Sequence, residues 1–526
     1  MENRFNREPH LRDNYNKFLQ EYLDLGHMTQ VQPFRGPDSK VFYLPHYAVL
    51  KEDSTTTKLR VVFDASAQSE SGSSLNDFLE SGPKIQDDLM EILMRWRKFR
   101  YVYTADVEKM FRQVLVAEKY QDFQRIFWRS DPTKPVKEYR LNTVTYGTAP
   151  ATFLAVRALK QLAADYNDEF PLAAQVLQTY FYVDDMLTGC DTKEEAIVLQ
   201  QQILQLLQRG GFNLRKWTSN SQALLENIPE NQRETGICEI SPETKIKALG
   251  LLWNPEKDEF SYNFSTFEQN KLSKRQLLSN VASIYDPLGF LAPVTVTAKI
   301  LIQEAWKHEK DWDEELPEDI RKAWNAFNDE LHYINNIQVP RWIHHRNSEV
   351  TEIHGFCDSS MKAYGAAVYA RTVSPIGVIT TTLIVAKTRV TPKKMNTVTL
   401  PRLELCSALL LAQLLQTTCR ILDLTNPPTY AWSDSKITIA WIQKRPEKWN
   451  DFVAWRIRRI QELTSPCIWH HVSTNDINRR MRPPEESFRN DSKLILYGGT
   501  VQSGFLNQKR AGQCIRRTKK QMKKRL

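Results

Sequence analysis

Two adjacent aspartates close an apolar run, Tyr180-Phe181-Tyr182-Val183-Asp184-Asp185-Met186-Leu187. The aromatic and β-branched residues before the pair read as a strand, and Met186 to Thr188 read as its returning partner. Adjacent acids are poor strand residues, so the pattern puts both in the connecting turn. Carboxylates held up on a rigid hairpin suit a hard divalent cation, which takes oxygen donors, waters and substrate phosphates. An isolated Asp-Asp turn is more often simply solvated, so its neighbours decide. A second acid ends another strand-like run, Tyr101-Val102-Tyr103-Thr104-Ala105-Asp106, followed by Val107-Glu108-Lys109-Met110-Phe111. With the two strands side by side, Asp106 and Asp184 would face each other and could hold two metal ions. Two-metal phosphoryl transfer needs such a site, one ion activating the attacking oxygen and the other stabilising the leaving oxygen. Both acids could equally cap strand ends.

Other residues fit the same chemistry. Lys58 and Arg60 lie two apart on a strand-like run, so both can point one way and clamp a triphosphate; a solvent-facing pair on an edge strand is the plain alternative. Further along, Asp358 closes the short run Phe356-Cys357-Asp358, and Asp434 closes Tyr430-Ala431-Trp432-Ser433-Asp434. Between them Glu404 follows Pro401, which can open a helix and leave Glu404 near its first turn. Three carboxylates from two strands and a helix could converge on two metals and set a water in line with a scissile phosphate. Singly, an Asp after a strand is often only a helix cap.

The chain has 526 residues and is 41% hydrophobic, enough for several cores and three or four domains. No apolar run reaches the roughly 18 residues of a membrane span, and the charged N-terminus lacks a signal-peptide core. Seven scattered cysteines without C-x-x-C spacing argue against a zinc site or disulfide framework and suit a reducing compartment. From Lys509 to Arg525 run nine basic residues and no acid, which account for the entire net charge of +9. The body is therefore neutral, and any nucleic acid must meet local basic stripes rather than a global field. The tail reads as a disordered, non-specific polyanion binder.

At this point the order of the motifs becomes specific. The Tyr182-Val183-Asp184-Asp185 hairpin resembles the Tyr-x-Asp-Asp box of reverse transcriptases, and Asp106 through Phe111 resembles their first metal-binding motif. Lys58-Leu59-Arg60-Val61-Val62-Phe63-Asp64-Ala65-Ser66 with Ser74-Leu75-Asn76-Asp77 is similar to the fingers segment of BEL/Pao long-terminal-repeat retrotransposons. Val144-Thr145-Tyr146-Gly147-Thr148-Ala149, Gly211-Phe212-Asn213-Leu214-Arg215-Lys216-Trp217 and Leu249-Gly250-Leu251-Leu252-Trp253 resemble later motifs, in order, over about residues 1–475. The resemblance implies an α+β right-hand polymerase of fingers, palm and thumb, then a connection and a truncated α/β RNase H-like domain. Expected boundaries are a helical lead-in at 1–45, fingers and palm at 46–260, a thumb or connection-like helical region at 261–350, the RNase H-like domain at 351–476 and a basic tail at 477–526.

The resemblance also assigns roles. Asp106, Asp184 and Asp185 would hold two Mg²⁺ or Mn²⁺ ions. Lys58 and Arg60 would hold the triphosphate, Phe111 would block a 2′-hydroxyl, and Tyr146 and Gly147 would let the backbone approach the templating pair. Lys216 sits where a palm lysine could protonate the leaving pyrophosphate, although a surface lysine at a strand start is commoner. Thr152 stands where the family usually has Pro. The implied reaction is RNA-directed DNA polymerisation on a template-primer with deoxynucleoside triphosphates (dNTPs), in a piece of a larger polyprotein. Its place would be the cytoplasm, in a virus-like particle, and the nucleus.

Asp358, Glu404 and Asp434 resemble three RNase H metal ligands. The family then carries a fourth acid in an Asn-Pro-Ala-Asp run, whereas here Trp469-His470-His471-Val472-Ser473-Thr474-Asn475-Asp476 leads into Ile477-Asn478-Arg479-Arg480, which matches nothing in that pattern. The ending looks like a frame change, and the RNase H-like site is expected to be impaired. Two alternatives remain: a decayed fragment that only binds nucleic acid, and an aspartic peptidase by family association. The second is disfavoured, since Asp358-Ser359-Ser360 and Asp434-Ser435-Lys436 lack the glycine of Asp-Thr/Ser-Gly.

Overall fold

Alternation along Tyr101–Val107 decides the first half of the molecule. Tyr103, Ala105 and Val107 face one core, and Val102 faces another, as the two-residue strand period requires. The computed structural model describes residues 1–473 apart from 38–39, 51–58, 235, 241–250, 268–270, 346–349, 393–398 and 425. Lys58, Leu249-Gly250, Asp476 and the basic tail thus lie outside the described residues.

Tyr101–Val107 is an inner strand of a four-stranded antiparallel sheet, between Asp185–Cys190, itself paired with Phe181–Tyr182, and Leu214–Ser219. Helices Ala151–Asp165, Pro171–Thr179 and Lys193–Arg209 cover the Tyr103 side. The last opens with a capping box, the Thr192 side chain accepting from Glu195 N at 3.2 Å and Glu195 returning the bond, which satisfies two otherwise orphaned donors. On the other side lie helix Leu89–Trp96 and a second sheet of Cys238–Ile240, Leu251–Asn254, Glu259–Tyr262 and Val339–Pro340.

Preceding the palm sheet, helix Pro9–Asp24 packs its Leu11, Tyr15, Leu19 and Tyr22 stripe on the hairpin His46–Leu50/Leu59–Phe63 and on a sheet ordered Met28–Val31, Lys137–Leu141, Arg125–Trp128. The lead-in expected to be helical to residue 45 therefore ends at Asp24, and Met28–Val31 pairs with Lys137–Leu141 as a strand. In the sequence, residues near Ile85 to Trp96 read as one helix, but that helix starts at Leu89. Asp88 takes extended backbone at the N-cap, and the Gln86 side chain is committed elsewhere, accepting from Val183 N at 3.1 Å.

The second half begins with helices Lys274–Ala282, Ala292–Ala305 and Glu318–Glu330. A five-stranded sheet follows in the order Ile379–Val390, Ala363–Val373, Val350–Ser359, Thr429–Ser433, Trp469–His471. The first three strands are antiparallel and the last two join in parallel. Helix Leu400–Ile421 lies across one face so closely that a Cβ at Gly355 would come within 2.5 Å of Leu411 Cδ1. No helix among the described residues is long and apolar enough to cross a membrane.

Two buried arginines tie the halves together. Arg341 Nε and Nη2 grip Asp258 at 2.6 and 2.8 Å, while its Nη1 donates to the Trp96 and Phe99 carbonyls at 2.8 and 2.9 Å. Arg97 donates to the carbonyls of Arg341 at 2.9 Å and Ile384 at 2.7 Å, under the rings of Phe260 and Phe290. Arg341→Met would strip this donor from the Trp96 and Phe99 carbonyls and leave the Asp258 carboxylate to Trp253 Nε1 and Asn220 Nδ2. Its urea unfolding free energy should fall by about 3–5 kcal/mol, the cost of breaking a buried pair. A loss below about 1 kcal/mol, the range of surface pairs, would contradict this role.

Candidate active sites

The hairpin turn consists of Val183 and Asp184 alone. Val183 has φ 56°, a left-handed conformation that a β-branched residue rarely adopts. Asp185 is already the first residue of the returning strand, so the pair does not sit wholly in the turn as expected. Antiparallel pairing sets Asp106 opposite Asp185, and directly opposed residues share a face. The expected partner, Asp184, sits one residue earlier, and its backbone carbonyl accepts from Val107 N at 2.9 Å. The hairpin register thus brings all three acids to one strand end, with Asp185 rather than Asp184 facing Asp106.

Asp106 is met by cations. Lys216 Nζ lies 2.9 Å from Oδ2 and Arg215 Nε 3.8 Å from Oδ1, and Arg215 also reaches Glu108 at 3.2 Å. Lys216 has φ 55°. Burial opposes its charge, but the hydrogen bond and charge of Asp106 outweigh it and hold the ammonium above the usual lysine value. Thr104, Asp106, Asp185, Lys216 and Cys238 line one pocket between the palm sheet and the Cys238–Ile240 strand.

Arg60 is exposed on Leu59–Phe63. Tyr146 lies behind that strand, its hydroxyl donating to the Val61 carbonyl and its ring 5.6 Å from Phe63. Gly147 is required where it stands. Its φ is +97°, and a Cβ would meet the Phe63 carbonyl oxygen at 2.4 Å. Phe111 is half-buried on the 3-10 turn Met110–Gln113 and packs on the palm core. Glu21 and Arg112 were not singled out from the sequence. The Arg112 Nη2–Glu21 Oε1 contact of 3.0 Å joins residues 91 apart, and no local pattern carries such a signal.

In the five-stranded sheet, Asp358, Glu404 and Asp434 each offer an oxygen within 4.8 Å of the others. Asp358 ends Val350–Ser359 exposed, Glu404 is buried on Leu400–Ile421, and Asp434 follows Thr429–Ser433. Burial first, then the charges of Asp358 and Asp434, push Glu404 up to about 8, and its Oε2 is buried without a hydrogen-bond partner. A cation would relieve all three effects, so this donor set fits a hard divalent ion.

Residues 52–253 match the family described as reverse transcriptase (RNA-dependent DNA polymerase). Residues 273–435 match the Pao retrotransposon-like RNaseH-like domain, which takes in the helices after the palm and stops one residue past Asp434. A search of curated proteins finds no match. Among solved structures, the chain is similar to a foamy viral protease-reverse transcriptase in complex with double-stranded DNA. The TM-score is 0.54 at 14% identity, over 88% of this chain and 69% of that one, a likeness of fold.

The raised carboxyl gives a pH test. Without divalent cation, Glu404 is neutral in the fold at low pH and is charged beside Asp358 and Asp434 as pH climbs from its ordinary 4.5 through about 8. Its contribution to stability is thus full below the unfolded value and lost on that climb. Melting wild type and Glu404→Gln side by side from about pH 5 to pH 9 should show a decline in the first that is flattened in the second. Parallel curves would contradict the assignment.

Proposed function

We propose that this chain, which carries a reverse transcriptase domain followed by a Pao retrotransposon-like RNase H-like domain, is an RNA-directed DNA polymerase working through Asp106, Asp184 and Asp185. The observation that carries the reading is the hairpin register, with Asp106 opposite Asp185 and Asp184 anchored on Val107. The donors are all carboxylate oxygens, a set that fits a hard divalent ion taking the place of the cationic nitrogens now beside Asp106. Two Mg²⁺ or Mn²⁺ ions held there would activate a primer 3′-hydroxyl and offset the charge of the triphosphate and pyrophosphate.

The chain's own residues do the rest. Arg60, with Lys58, clamps the triphosphate by charge-assisted hydrogen bonds. Gly147 keeps the backbone close to Phe63, and Tyr146 stiffens that wall. Phe111 excludes a 2′-hydroxyl by bulk. Lys216 is kept protonated by Asp106 and, on leaving that carboxylate, hands a proton to the departing pyrophosphate. The ligands are an RNA or DNA template-primer and dNTPs. The family resemblance adds release from a longer polyprotein, in a cytoplasmic particle and then the nucleus.

Asp358, Glu404 and Asp434 form the second metal-binding cluster, for strand cleavage in an RNA–DNA hybrid. The Asn-Pro-Ala-Asp run that carries the family's fourth acid is missing after Asn475, with Asp476 the nearby acid left to substitute for it, so water positioning there is loosened and cleavage is weak.

One preparation tests both halves. Primer extension on a homopolymer template should fall on the order of a hundredfold to a thousandfold in Asp106→Asn and in Asp184→Asn, the scale of losing one preorganised electrostatic group. The unaltered protein should extend primers under conditions where it barely cuts the hybrid. Undiminished extension by Asp184→Asn would sink the polymerase assignment, and robust cleavage dependent on Asp358 would overturn the reading of the second half.

A further inference from the structure

The helix Pro9–Asp24 reaches the turn that carries Phe111. Glu21 Oε1 lies 2.6 Å from Lys109 Nζ and 3.0 Å from Arg112 Nη2. Those two residues bracket Met110 and Phe111, so one carboxylate pins both ends of the 3-10 turn Met110–Gln113. Lys109 enters the turn with φ 52°, a left-handed conformation that needs support from outside itself. Arg112 is fixed on its other sides too. Its Nε donates to His27 Nδ1 at 2.9 Å, and its guanidinium lies 4.0 Å from the centre of the Tyr22 ring. The His27 imidazole is kept neutral, and so able to accept, by burial and by Arg112, which lower it to about 4. Tyr22 in turn packs 5.9 Å from the Phe63 ring, itself 5.6 Å from the Tyr146 ring. One turn of a helix outside the palm thus holds the mounts of both Phe111 and Tyr146.

We propose that Glu21 is a positioning residue for sugar selection: its carboxylate, clamping Lys109 and Arg112, fixes the height of the Phe111 ring and so sets how strictly a 2′-hydroxyl is refused. The inference rests on the reading of Phe111 as the sugar gate. The side chain of Glu21 is 42% exposed, so replacing it opens no cavity. In Glu21→Gln the two hydrogen bonds lose the carboxylate's charge and weaken, and the turn gains freedom to let the ring drop.

The experiment measures kcat/KM for a dNTP and for the matching ribonucleotide, with Glu21→Gln, Glu21→Asp and Phe111→Val compared on one template-primer. In Glu21→Gln the preference for deoxyribose should fall roughly tenfold, about the worth of one charged hydrogen bond. The change should come through a lower ribonucleotide KM, with template-primer KM and melting temperature unchanged. Glu21→Asp, which keeps the charge, should recover part of the preference. If Phe111→Val relaxes selection and Glu21→Gln does not, the positioning role is overturned and the gate stands. If neither variant alters selection, the gate reading fails and takes the inference with it. A Glu21→Gln protein that melts earlier and loses kcat equally with both nucleotides would make Glu21 a scaffold residue and overturn the proposal.

Discussion

Everything at the polymerase centre depends on the register at which Tyr101–Val107 pairs with Asp185–Cys190. A shift of one residue would exchange faces, burying Asp106 against the helices and turning Ala105 and Val107 outward. Both faces are committed, with Tyr103, Ala105 and Val107 in one core and Val102 and Leu187 in the other, so hydrophobic burial enforces the register from two sides. The cost concentrates in the turn. Val183 at φ 56° stores about 1–3 kcal/mol of strain, and its surroundings hold it there. Gln86 accepts from its N–H, Val107 donates to the next carbonyl, and Leu187 N donates to Tyr180 O at 3.0 Å. Val183 also packs on the palm core.

The arginine pair is a second constraint of a different kind. Arg97 and Arg341 are wholly buried, and burial lowers Arg97 to about 9, which leaves it charged at neutral pH. Such groups contribute little net stability against apolar replacements, yet punish the loss of one partner. Here they specify geometry. The carbonyls of Trp96, Phe99, Pro340, Arg341 and Ile384 are gathered on two guanidinium groups. The palm sheet, the second sheet and the five-stranded sheet are therefore held in one relation.

Much of the acid chemistry was legible in the chain because each carboxylate sits at the end of a short aromatic or β-branched run. Asp106, Asp358 and Asp434 all lie at or just past strand ends, and Glu404 follows the Pro401 that lies in the first turn of its helix. What the chain did not disclose is long-range. The choice of Asp185 over Asp184 as the residue facing Asp106 depends on a two-residue turn set by tertiary packing. The Lys216–Asp106 bond joins residues 110 apart. The lead-in looked helical throughout because Tyr15, Leu19 and Tyr22 keep helical spacing, but Met28–Val31 takes its conformation from Lys137–Leu141, more than a hundred residues on.

The central claim is that the acids of the two facing strands share a divalent ion. Loading the protein with Fe²⁺ and generating hydroxyl radicals at the bound metal cuts the backbone only near that ion. The account predicts cuts around Asp106 and around Asp184-Asp185 together, suppressed by excess Mg²⁺ and lost from both strands in Asp106→Asn, while cuts near Asp358 and Asp434 persist. Cleavage at only one of the two strands, or at both but unaffected by Asp106→Asn, would contradict it.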